Sequence, residues 1–134
     1  MDKEKDEILR QWLHKGEEEL NSAGYLSTMR HPTPDETICY LCQQSAEKYL
    51  KAFIFYNDIE PEKTHDLDVL LKVCQEYNNN FSKLSSNTFI LKKYGVMPRY
   101  PNDLDISKED MKNAIANAKS VQEFVLKIFN EPST

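Results

Sequence analysis

The chain has 134 residues, 40% of them hydrophobic, with only 3 Gly and 6 Pro, a length and balance that suit one globular domain and exclude a disordered or fibrous chain. A formal net charge of −5 argues against a general nucleic-acid coat, because counterion release needs a concentrated basic surface, and leaves open only a local basic groove. The 3 cysteines lie in apolar helical patterns, which fits buried reduced thiols better than a disulfide framework.

The opening MDKEKDEILRQW is charged and lacks the apolar run of a signal peptide, and nothing approaches a membrane-spanning length, so a cytoplasmic protein with no membrane contact is expected. A first helix is predicted from Lys3 to Met29, with Ile8, Leu9, Trp12, Leu13, Leu20, Ala23 and Leu26 recurring at helical spacing. Gly16 weakens its middle by about 1 kcal/mol against Ala unless close packing requires it. Arg30-His31-Pro32 stops it, since a residue before proline is pushed out of the helical region.

A second helix is predicted to start with Thr33 as cap, Pro34 at the first helical position and acid at Asp35 and Glu36, and to run to Phe55 before Asn57-Asp58 and Pro61. Its stretch from Ile38 to Phe55, ICYLCQQSAEKYLKAFIF, is apolar almost all round, which places it at the centre of a bundle with its few polar groups brought to a groove or a contact. Cys39 and Cys42 spell C-x-x-C, but no second Cys or His pair follows at zinc-site spacing, so core packing is the reading.

The third helix is predicted from Thr64, whose hydroxyl can cap, through Leu67, Leu70, Leu71 and Cys74 to Tyr77; Asn78-Asn79-Asn80 breaks it. A fourth, Phe81 to Lys93, has a Ser-Ser-Asn-Thr centre that forms helix poorly. Gly95, Pro98 and Pro101 make Tyr94–Ile106 a loop. Ser107 and Asp110 form a capping box for the last helix, whose stripe Met111, Ala114, Ile115, Ala118, Val121, Val125 and Ile128 is the most regular in the chain. The expected fold is all-α, one antiparallel up-and-down bundle over residues 1–134 of about five helices, four long core helices plus a shorter one, with residues 1–5 and 131–134 frayed.

Three places offer chemistry. On the second helix Gln44, Lys48 and Lys51 share a face, with Gln43 and Glu47 beside them; the lysines suit a phosphate, while Glu47 and Lys51 also suit an ordinary i, i+4 ion pair. His65, followed by Asp66, stands at the start of the third helix as a titratable group. Arg99 and Tyr100, between Pro98 and Pro101, present a guanidinium fork beside an aromatic plate, a combination suited to phosphate and base recognition and equally to a loop pinned by Asp103 or Asp105.

QQSAEKYLKA, then THDL, then PRYP before a final helix resembles, in order and spacing, the HEPN domain family of prokaryotes, including its sacsin-like nucleotide-binding branch; the likeness spans Ile8 to Phe129. The resemblance implies a bundle of about five helices, a homodimer, and a partnership with a minimal nucleotidyltransferase in a toxin–antitoxin module. Many members are metal-independent ribonucleases with an arginine followed about four to six residues later by a histidine. Here no His follows Arg99, and Arg10 with His14 lies in the wrong helix, so that motif is missing and no enzymatic activity is carried over. What transfers is Arg99, Tyr100, Gln44, Lys48, Lys51 and His65, as a groove for a nucleotide such as ATP or GTP, or for an RNA phosphate, or as the shape of a partner interface. The expected function is thus a non-catalytic binding dimer with no bound cofactor or metal. The alternatives are a ribonuclease toxin using Arg99 and His65, and a dimeric scaffold without ligand.

Overall fold

The computed structural model describes residues 2–95 and 105–130. The described residues form α1 (Lys3–Leu26), α2 (Asp35–Tyr56), α3 (Leu67–Tyr77), α4 (Ser85–Leu91) and α5 (Lys108–Asn130), an all-α architecture.

Helix α1 opens on Asp2, whose carboxylate accepts from the Lys5 N–H at 2.8 Å, and ends three residues before Met29. Thr28 and Met29 make tight turns back to Tyr25 and Leu26, and the Arg30 guanidinium covers the Ser27 carbonyl at 2.9 Å, so the last orphan carbonyls are satisfied without more helix. Thr33 does not cap α2: its hydroxyl donates back to the Met29 carbonyl, and Pro34 takes the cap position with no side-chain bond. The acids Asp35 and Glu36 remain in the first turn, where they complement the helix dipole.

Between Ile38 and Phe55 α2 has no exposed residue, as its composition implies. It runs antiparallel to α1, because Lys5 reaches Asp58 beyond the far end of α2 while Gly16 meets Ser45. There the two backbones come close: Ser45 Oγ donates to the Gly16 carbonyl at 2.7 Å, and a Cβ on Gly16 would lie 2.9 Å from the Tyr49 ring. Close packing is therefore what Gly16 serves.

α5 lies beside α2 and runs in the same direction, as the contacts Asp35 with Lys108, Tyr49 with Gln122 (2.8 Å) and Tyr56 with Phe129 (ring centroids 5.1 Å) succeed one another. The other side of α2 is closed by α3 and α4, with Phe81 wedged between Phe53 and Phe124 at 4.4 and 4.9 Å.

The expected fourth helix, Phe81 to Lys93, is instead a 3₁₀ stretch (Asn79–Leu84), the short α4, and a 3₁₀ turn (Lys92–Tyr94), so the described residues hold three long helices and two short ones where four long and one shorter were expected. Local side-chain bonds explain the interruption. Asn78 accepts from the Asn80 N–H at 3.0 Å, and the Ser85 hydroxyl donates to the Ser82 carbonyl at 2.6 Å, offering the backbone alternatives to an α-helical ladder. α3 begins at Leu67 with Asp66 as cap, while Thr64 accepts from the Asp66 N–H one step earlier. Ser107 and Asp110 make the reciprocal capping box at 3.0 Å in both directions.

Candidate functional site

The connection from α2 to α3 returns the chain to the middle of α2, where the buried Gln43 side chain donates to the His65 carbonyl at 2.9 Å. This fixes the His65 backbone over Glu47. The Glu47 carboxylate, almost wholly buried, is met on one oxygen by His65 Nδ1 at 2.9 Å and on the other by Lys51 Nζ at 3.1 Å. A carboxylate can only accept, so Nδ1 carries the proton and Nε2 is left for whatever approaches from outside. The His65 side chain is 67% exposed. Beside it opens a cleft of about 340 Å³ lined by His65, Asp66, Asp68, Lys92 and Gly95. Gly95 lies close enough to Gln43 that a Cβ would sit 3.3 Å from its amide nitrogen.

The two lysines do not stand free. Lys51 is held by Glu47 with its ammonium 6.0 Å from the half-buried Trp12 ring, and Lys48 crosses to Glu19 on α1 at 3.4 Å. Burial raises the Glu19 carboxyl above its ordinary value, and the Lys48 ammonium beside it opposes that rise. Both lysines thus act first as counter-ions to buried carboxylates. Gln44 turns to Tyr40, donating to its hydroxyl at 2.8 Å, and takes no part in the His65 cluster. Arg99 and Tyr100 lie outside the described residues. Arg10 and His14 each pair within α1, with Asp6 at 2.9 Å and Glu18 at 3.6 Å.

Of the expected site residues, the structure brings Lys51 and His65 together through Glu47, sets Lys48 next to them on the α1 side, and leaves Gln44 apart. Glu47, the hub, reads in the sequence as half of an i, i+4 pair; its bond to His65 spans 18 residues and follows only from the path of the connection. Among the described residues no group of three or more His, Cys, Asp or Glu is placed to hold a metal ion, and no helix is long and apolar enough to cross a membrane. The thiols are core groups: burial pushes Cys39 up to about 11 and Cys42 and Cys74 up to about 12.

The model of the HEPN domain matches residues 9–128. The chain belongs to the HEPN domain family. The crystal structure of an archaeal HEPN homologue has the same fold, with a TM-score of 0.70 at 22% identity over 91% of this chain and 98% of that one. A crystal structure of a protein from Thermus thermophilus is similarly related, with a TM-score of 0.69 at 21% identity over 89% of this chain and 96% of that one. No curated protein matches the sequence. In this HEPN domain, then, the central helix supplies a buried carboxylate that orients one exposed histidine at the edge of a cleft.

Proposed function

We propose that this HEPN domain is a binding module that takes the phosphate of a nucleotide or of RNA at His65, without cleaving it. The observation that carries the reading is the chain Lys51–Glu47–His65: a buried carboxylate fixes the imidazole, and the outer nitrogen is left for a cleft whose lining includes Lys92, itself paired with Asp68 at 2.9 Å. With Nδ1 committed to Glu47, His65 meets a phosphate oxygen as the imidazolium, donating from Nε2 as well, with the Lys92 ammonium in the same cleft lining, and the acidic surface elsewhere keeps affinity for bulk nucleic acid low. Arg99 and Tyr100 belong to this reading as residues of the sequence motif, and Lys48 as a charge near its edge. Its biological setting, as the resemblance implies, is a homodimer beside a minimal nucleotidyltransferase in a toxin–antitoxin-like module.

Titration calorimetry with ATP, GTP and a short single-stranded RNA tests the proposal. At least one should bind and raise the melting temperature, as any ligand selective for the folded state does, and His65→Ala should weaken it about tenfold or more. Arg99→Ala in the same titration reads the contribution of the loop. If none of the three ligands binds or shifts melting, the reading fails.

A second reading rests on the same Glu47–His65 hydrogen bond, since a carboxylate-oriented imidazole is also a competent general acid or base. It makes the domain a metal-independent ribonuclease with His65 moving the proton and Arg99 stabilising the phosphate. RNA cleavage by pure protein that is abolished by His65→Ala would establish it, and cleavage that survives the substitution would remove it. A scaffold without ligand is the reading left if the substitutions change the mass in solution and no binding.

A further inference from the structure

A second cleft, of about 250 Å³, lies between the α2–α3 connection and α3 and shares no lining residue with the His65 cleft. Its floor is core: Ile54 and Leu70 are each 1% exposed, and the half-buried Val73 lies beside them. Ile59 and Tyr77, 38% and 45% exposed, line it as well. Its lip is acidic on two sides, with Glu60 and Glu62 on the connection and Glu76 on α3, all exposed and none ion-paired among the described residues. Lys63 and Lys72, exposed and near in sequence, do not line it.

The wall formed by the connection is fastened at several points. Asp58 adopts a left-handed backbone (φ 65°), which an aspartate tolerates better than most residues, and its carboxylate pairs with Lys5 of α1. Pro61 is buried between the two exposed glutamates, and the far end is held by the Gln43 bond to the His65 carbonyl. The cleft is therefore preformed, so little ordering is lost when it fills.

We propose that this cleft docks a partner protein through a segment that presents one apolar side chain, of leucine size, between basic residues. The apolar floor takes the side chain out of water, and carboxylates on both sides of the slot meet a positive charge on each flank. An acidic segment would be repelled by the same groups, so the charge pattern selects as well as attracts. This inference is independent of the phosphate reading at His65.

The probe is a capped pentapeptide, Gly-Arg-Leu-Arg-Gly, titrated into the ¹⁵N-labelled protein. The contact is small, so a dissociation constant on the order of 1 mM is expected, with amide shifts confined to the segments around Ile59, Val73 and Tyr77. Gly-Glu-Leu-Glu-Gly and Gly-Arg-Ser-Arg-Gly should bind about tenfold more weakly, and raising the salt should weaken the first peptide as Debye screening shortens. The double variant Glu60→Gln/Glu76→Gln changes only exposed side chains and should reduce binding severalfold with an unchanged spectrum elsewhere. The proposal is overturned if the acidic peptide binds as well, if the shifts fall outside the cleft, if the double variant binds unchanged, or if no peptide binds at several times the expected constant.

Discussion

Glu47 shows why the site is built around a buried charge. A carboxylate with 2% of its side chain exposed is tolerated because Lys51 and His65 satisfy both oxygens. Removing the hub leaves Lys51 buried without a counter-ion, so Glu47→Ala should cost about 3–5 kcal/mol in urea denaturation, while the joint replacement Glu47→Leu/Lys51→Met should lose much less. If the double variant is as unstable as the single one, the loss comes from packing and not from the stranded charge. His65 is different, for with 67% of its side chain exposed its removal opens the Glu47 oxygen it satisfied to water, and the loss of that hydrogen bond should cost only about 1 kcal/mol. His65→Ala should therefore stay folded with a slightly lower melting temperature, which makes loss of ligand binding in that variant a statement about the site. The lysines were legible as charges on a core helix; that buried acids would claim them first was not, because Glu19 meets Lys48 only once α1 and α2 are packed.

The helices themselves divide into those whose own residues specify them and those that depend on neighbours. α5 is of the first kind: its stripe and its capping box both point to a start at Lys108. Ser107→Ala should lower stability by about 1 kcal/mol through loss of the cap. Its partner Asp110 adds a pH dependence. The Ser107 N–H and hydroxyl hold its carboxyl below the ordinary value of 3.8, so its contribution is present above that pH and is lost as the solution is acidified through the lowered value. Asp110→Asn should flatten the acid limb of a melting-temperature profile and leave the remainder of its shape intact. α4 and the entry to α2 are of the second kind. Thr33 has the chemistry of a cap, but its hydroxyl found the Met29 carbonyl, and the Asn and Ser residues before Thr88 found turns. Gly16 joins the levels, a poor helix residue explained only by Tyr49 across the interface. Gly16→Ala gains about 1 kcal/mol of helix propensity but drives a methyl into a ring whose hydroxyl is fixed by Gln122, so a net loss of about 1–2 kcal/mol is expected. An unchanged or raised urea midpoint would mean that Tyr49 gives way.

At the scale of the whole molecule the central helix decides how the domain opens. α2 touches α1 and α5 on one side and α3 with α4 on the other, and the aliphatic and aromatic contacts form one cluster running through all of them. That centrality was readable from an eighteen-residue stretch that is apolar almost all round, whereas the direction of α5, parallel to α2, depends on the intervening helices and had no local signature. The 3 cysteines turn the point into an experiment. Cys39 and Cys42 lie on α2 and Cys74 on α3, all fully buried and with thiols pushed to about 11 or 12, so each is unreactive until its surroundings unfold. If α2 is the centre of one cooperative core, labelling by an aromatic disulfide reagent should modify all three at the same rate, with the urea dependence of global unfolding. If α3 and α4 instead detach as a unit, Cys74, which leans its sulfur 3.6 Å from the Leu50 carbonyl, should react first while the two α2 thiols stay protected. Coincident rates are the expected outcome, because Phe81 is clamped between Phe53 of α2 and Phe124 of α5, and α3 with α4 cannot leave without breaking both contacts.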